Sequence, residues 1–211
     1  MKLFRTTKHQ SKYWANRKID WKTSYLDTWN HPHRSLIVGL LQTFQWTSLI
    51  EIGCGSGPNL VNIVKNLSNK QVGGIDINAD AIALAEKTFQ GGVFKVCSAD
   101  DIMMSDKSTD VSLSDMVYIY VGSRKIDKHI EELKRVTRNY VILCEFHSDK
   151  WWKRLWLKWT SGYNAYNWKK LLTKHNFYDI INYKIPTEMW PGGDPQKTYG
   201  YILVAKVPKR G

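Results

Sequence analysis

Short apolar, β-rich runs alternate along the chain with stretches whose apolar residues recur at helical spacing. The runs Ser48–Ile52, Gln71–Asp76, Val93–Cys97, Asp110–Val117, Tyr140–Glu145, Tyr178–Ile185 and Tyr199–Val207 read as strands. Between the first five lie helical stretches near Asn59–Leu67, Ala79–Phe89 and Arg124–Thr137. The second has Asn78 as its cap and Gly91 and Gly92 beyond its end. The third carries Ile126, Ile130, Leu133 and Val136 on one face. Strands separated by helices predict a parallel sheet with helices on both faces. The last two runs are joined by Pro186–Lys197, which contains Pro191, Gly192, Gly193 and Pro195. That link is too short for a helical crossover, so these two strands are expected to be antiparallel. The pattern predicts a seven-stranded, mostly parallel α/β fold in a single domain over 1–211, with a helical cap over 1–46.

One stretch breaks the alternation. Residues 148–164 hold four of the ten tryptophans among lysines and an arginine. Written as a helix, Trp152, Leu155, Trp156 and Trp159 share a face, and Lys150, Lys153, Arg154 and Lys158 lie largely outside it. Four readings stay open: a helix on an anionic membrane surface, a lid over an acceptor pocket, a helix packed on the sheet edge, or a stacking groove for nucleic acid.

Composition adds a compartment and a sign. At 211 residues and 43% hydrophobic, the chain has enough apolar content for a continuous core. Three scattered cysteines without metal-ligand spacing argue against a disulfide framework, and no metal is expected. The polar, basic N-terminus is unlike a secretory signal, and Leu36–Leu41 is too short to span a bilayer. The expectation is a cytoplasmic protein. Lys and Arg number 31 against 19 Asp and Glu, a net charge of +12 that favours weak contact with polyanions or a membrane surface.

The chemistry concentrates after the first strand, in Leu49-Ile50-Glu51-Ile52-Gly53-Cys54-Gly55-Ser56-Gly57-Pro58-Asn59. An apolar strand enters three alternating glycines, then a helix whose first N–H groups are free. Glu51 would repel a pyrophosphate but suits a cationic amino-acid ligand bearing an ammonium and a sulfonium. The second strand ends in Asp76, 19 residues after Gly57, where a carboxylate can accept two ribose hydroxyls. Together these stretches resemble motif I and the strand-end acid of class I S-adenosylmethionine-dependent methyltransferases.

The resemblance implies S-adenosyl-L-methionine as cofactor, with Glu51, Gly53, Cys54, Gly55 and Gly57 around its amino-acid end. Asp76 would then hold the ribose and Ile77 would pack on adenine. Many relatives have Gly-Asp-Ala after the third strand. This chain has Cys97-Ser98-Ala99-Asp100, so Ser98, Ala99 and Asp100 become the candidates there. Asp115, Met116 and Tyr118 at the fourth-strand exit are expected near the methionine portion. Tyr13 and Arg34 are the N-terminal candidates for closing over the cofactor.

For proton removal, Asp115, Tyr118, Tyr120, Glu145 and His147 are candidates, and His147 is the preferred base because its ordinary pKa of ~6.5 suits neutral pH. The fourth-strand exit lacks the Pro-Pro-aromatic sequence of amine-methylating relatives, and no Pro-Cys or Thr-Cys nucleophile is present. A small-molecule or lipid-like acceptor gains by elimination. The alternatives are an RNA methyltransferase, or a protein at a nucleic-acid or membrane surface that binds the cofactor without transferring methyl.

Overall fold

In the computed structural model, which describes residues 7–190 and 194–209, three helices precede the sheet: α1 (Thr7–Ala15), α2 (Trp21–Ser24) and α3 (Pro32–Leu41). The sheet begins with β1 (Ser48–Ile52), followed by α4 (Pro58–Asn66), β2 (Gln71–Asp76), α5 (Ala79–Thr88), β3 (Phe94–Val96) and β4 (Thr109–Asp115). Then come α6 (Ile126–Val136), β5 (Thr137–Phe146), α7 (Trp151–Ser161), α8 (Trp168–Lys174), β6 (Tyr178–Lys184), the short α9 (Asp194–Tyr199) and β7 (Gly200–Lys206). The strand order is β3-β2-β1-β4-β5-β7-β6; β7 runs antiparallel to both β5 and β6, and the other pairings are parallel. The predicted seven-stranded, mostly parallel α/β fold is therefore the observed one. Of the turn residues expected between the last two strands, Pro191, Gly192 and Gly193 lie outside the described residues.

Alternation along the strands divides the core into two layers. Leu49, Val111, Leu113 and Ile142 face Ile37 and Leu41 of α3, Leu60 and Ile63 of α4, and Ile82 of α5. Ile50, Ile52, Val141 and Leu143 face the other way, against Ile130 and Leu133 of α6 and Trp168 and Leu172 of α8. Both faces of the sheet are thus covered, as near-continuous apolar strands require. Asn78 caps α5 as expected, accepting from the amides of Asp80 and Ala81.

Boundaries moved where backbone chemistry intervened. β4 was expected to reach Val117 but ends at Asp115, because Met116 takes a left-handed φ of +56°. For a non-glycine residue that conformation costs energy and marks a position fixed by its surroundings. The buried Glu145 supplies that restraint: its Oε1 accepts from Ser114 Oγ at 2.7 Å and from the amides of Val117 and Tyr118 at 2.9 and 3.1 Å.

Candidate functional site

The carboxyl ends of β1, β2 and β4 meet around a cavity of about 230 Å³, roofed by α1 and α2. Open α/β sheets place ligands at such a point, where neighbouring strands send their connections to opposite faces. The glycine turn forms its floor. Gly53 has φ +67°, and a Cβ there would lie 2.4 Å from Val117 Cγ2, so no side chain fits. Gly55, at φ +53°, lies beneath Trp21, whose ring a Cβ there would meet at 3.6 Å, and its amide donates to Asp76 Oδ2 at 2.9 Å. The other Asp76 oxygen accepts from the Asn78 amide at 2.8 Å. Burial pushes the Asp76 carboxyl up, opposed by these backbone donors.

Opposite Asp76, two carboxyls share one amide. Asn59 Nδ2 donates to Glu51 Oε1 at 2.6 Å and to Asp115 Oδ2 at 3.0 Å. Burial pushes Glu51 up to about 8, only partly offset by Asn59 and reinforced by the neighbouring charge of Asp115. Burial acts on Asp115 in the same direction but loses: the charge and hydrogen bond of His33, with Arg34 and Asn59, hold it well below the usual carboxylate range. His33 Nε2 lies 2.8 Å from Asp115 Oδ2 and its Nδ1 lies 2.6 Å from His31 Nδ1, with Trp190 stacked on the His33 ring. Glu51 Oε2, Asp115 Oδ1, Asn59 Oδ1 and Arg34 Nε remain buried without a hydrogen-bond partner. Buried polar atoms without partners are costly, so three acceptors and one donor converging on a cavity point to a polar ligand.

The N-terminal segment that roofs the cavity is also tied to its floor. Ser56 Oγ donates to Trp21 O, and Asn78 Nδ2 donates to Trp14 O and Arg17 O. Trp14, Trp21, Tyr25 and Tyr120 form an aromatic wall, with Trp14 and Tyr120 edge-to-face at 5.2 Å.

Of the residues singled out in the sequence, Arg34, Glu51, Gly53, Cys54, Gly55, Asp76, Ile77, Ser98, Ala99, Asp115, Met116 and Tyr120 line the cavity. Six do not, the buried Glu145 beneath the β4 exit among them. Tyr13 is 44% exposed, and its neighbour Trp14 is the one that faces inward, since adjacent helical positions diverge by about 100°. Gly57 shapes the turn, donating its amide to Cys54 O. Asp100 stands behind the wall, accepting from Ser98 Oγ and lying 3.7 Å from Lys125 Nζ. Tyr118 is fully buried under the turn after β4.

His147 is the largest departure. It is only 3% exposed, its Nδ1 accepts from the Trp168 amide at 3.2 Å, and its ring packs on Tyr201. Burial lowers its pKa, and it does not reach the cavity. Sequence reasoning missed Asn59, His129 and the His31–His33 pair that backs Asp115. Asn59 sat inside the quoted motif and followed Pro58 at the start of the helix, which was the available signal. His129 is a buried residue of α6 that reaches the cavity, and only the packing of α6 reveals this.

Comparison with known proteins finds a matching domain and a shared fold. Residues 49–140 match the family model described as a methyltransferase domain. No curated protein matches the sequence. Among solved structures, a chain of the complex between the Haloferax volcanii Trm112 methyltransferase activator and a methyltransferase superposes with TM-score 0.65 at 16% identity, covering 86% of this chain and 91% of that one. Magnesium protoporphyrin IX methyltransferase from Synechocystis PCC 6803, with bound S-adenosylhomocysteine, gives 0.63 at 16% identity over 97% and 96%. The [4+2]-cyclase SpnF gives 0.64 at 17% over 84% and 81%. Residues 49–140 thus match a methyltransferase domain, and the fold is that of the class I S-adenosylmethionine-dependent methyltransferases.

Proposed function

We propose that the protein transfers a methyl group from S-adenosyl-L-methionine to a small-molecule or lipid-like acceptor in the cytoplasm. The observation that carries this reading is the set of unpartnered atoms in the cavity. Glu51 Oε2, Asp115 Oδ1 and Asn59 Oδ1 suit an ammonium, and Arg34 Nε suits a carboxylate, which are the two ends of an α-amino acid. Asp76 then holds the ribose, and Ile77, Ser98 and Ala99 border adenine. The cofactor supplies a sulfonium-bound methyl group open to in-line displacement.

The chain's own residues position rather than react. Glu51, Asn59 and Arg34 fix the amino-acid end, and the His33 contact keeps Asp115 ionised beside it. Trp14, Tyr25 and Tyr120 exclude water and offer flat apolar surface to an acceptor, so that orientation supplies most of the acceleration. The net charge of +12 adds salt-sensitive, sequence-indifferent attraction to polyanions, since base edges are read only by placed donors and acceptors.

Two experiments test the reading. Calorimetry with S-adenosylhomocysteine should show binding that Gly55→Val and Asp76→Ala abolish; unchanged affinity in either variant overturns the placement. A tritiated-methyl assay over small-molecule, lipid and nucleic-acid fractions should label the first or second. Robust incorporation at one nucleotide position at near-physiological salt would replace this acceptor class with RNA or DNA.

A further inference from the structure

The helix α7 is built inside out. At 100° per residue, Trp151, Leu155, Trp159, Trp152 and Trp156 occupy one continuous arc of its surface. A soluble helix ordinarily turns such an arc inward, yet here all five are between 53% and 70% exposed. The one buried residue is Leu157, on the opposite side, packed with Ile119, Phe146, Ala165 and Tyr199. Lys153 flanks the aromatic arc on one edge and Lys158 on the other, and the helix carries no acidic residue. Asp149, just before it, is the nearest acid in sequence. Arg154 is committed to the helix start, donating to Ser148 O and Asp149 O.

We propose that α7 is an interfacial anchor that docks the protein on an anionic lipid bilayer. Indole rings are favoured at the junction of headgroups and acyl chains, where an apolar body and a single N–H donor are both accommodated. Lysines bordering the aromatic arc extend their stems along it and place their ammonium groups among anionic headgroups. The net charge of +12 brings the molecule to such a surface. A second copy of the chain fits the same arc less well, because face-to-face pairing would set Lys153 and Lys158 against one another. A nucleic-acid groove requires concave walls, whereas this face is a convex helix directed away from the body.

The anchor is joined to the cavity lining through Tyr163. Tyr163, just after α7, packs edge-to-face on Tyr120, which lines the cavity and touches Trp14. No α7 residue lines the cavity itself. Docking therefore does not depend on which acceptor is methylated, although it would present the entrance to lipid-dissolved molecules.

The test is flotation of the full chain with vesicles of phosphatidylcholine alone or with about a third phosphatidylserine, a composition that carries the negative surface potential. Binding to the anionic vesicles, with a blue shift of tryptophan emission, is expected. The triple variant Trp152→Ala, Trp156→Ala, Trp159→Ala should lose both signals while keeping the thermal unfolding midpoint. Lys153→Gln with Lys158→Gln should weaken binding roughly fivefold per lysine. Failure of the parent chain to bind anionic vesicles overturns the proposal, as does undiminished binding by either variant. A self-association or a duplex-DNA affinity that the tryptophan variant abolishes, without vesicle binding, assigns the face to another partner and overturns it equally.

Discussion

Helices α6 and α7 each have 11 residues, and each concentrates its apolar side chains on one face. In α6 that face carries Ile126, Ile130, Leu133 and Val136, all buried against the sheet, while Lys128 and Glu131 meet solvent. In α7 the apolar face is the outer one and a single leucine secures the helix to the body. The same binary pattern therefore serves two purposes. In α6 it holds the fold together, and in α7 it leaves a surface for something else to cover. Amphipathicity shows that a helix has two sides but does not say which side the rest of the chain lies on.

The largest expected effect breaks the resemblance between the two helices. Leu133→Ala removes a fully buried side chain from the α6 face and should cost ~2–5 kcal/mol of stability, measured by urea unfolding. A loss under ~1 kcal/mol would mean that the α6 face is not the core element described here.

Next in size is Glu51, which is as buried as the α6 stripe but should respond in the opposite sense. Its carboxyl is raised to about 8 in the folded protein, so between its unfolded pKa and 8 the native state holds a proton that the unfolded chain releases. Stability from this group is accordingly present at low pH and falls as pH rises toward 8. Glu51→Gln should stabilise the ligand-free protein at neutral pH by ~1 kcal/mol or more, visible as a raised melting midpoint, while weakening cofactor binding. Because an ammonium ligand favours the ionised carboxylate, cofactor affinity should rise with pH up to about 8 and then level off. Calorimetry in buffers of different ionisation enthalpy should detect the released proton. A flat affinity profile between pH 6 and 8 would remove Glu51 from the ammonium site.

The smallest stability effect belongs to α7. Trp152→Ala with Trp156→Ala exposes no cavity, since both rings already face outward, and should change unfolding free energy by no more than ~0.5 kcal/mol. Cofactor affinity should be spared and turnover on a membrane-dissolved acceptor reduced. A destabilisation comparable to that of Leu133→Ala would show α7 to be core after all, and so erase the contrast.

Much of the molecule was legible because its determinants are local. The strand runs, the Asn78 cap, the glycine turn and the acid ending β2 depend on residues within a few positions of one another. Twelve of the candidate residues consequently line the cavity. The misplaced ones depended on distant partners. His147 had the right chemistry and sits just past the end of β5, but Trp168 and Tyr201 claimed its ring from 21 and 54 residues away. Tyr13 failed by one helical position, because the direction of α1 is set by Asn78 gripping the carbonyls of Trp14 and Arg17.

The sequence by itself determined the order of elements, the sheet's two-sided burial and the location of the ligand turn, since periodicity, glycine placement and capping act over short spans. Only the tertiary structure decided that Glu51 and Asp115 share Asn59, that His33, 82 residues upstream, holds Asp115 ionised, and that the apolar side of α7 faces out. Those outcomes depend on which surfaces meet when the layers pack, and on how far each charge is removed from water when they do.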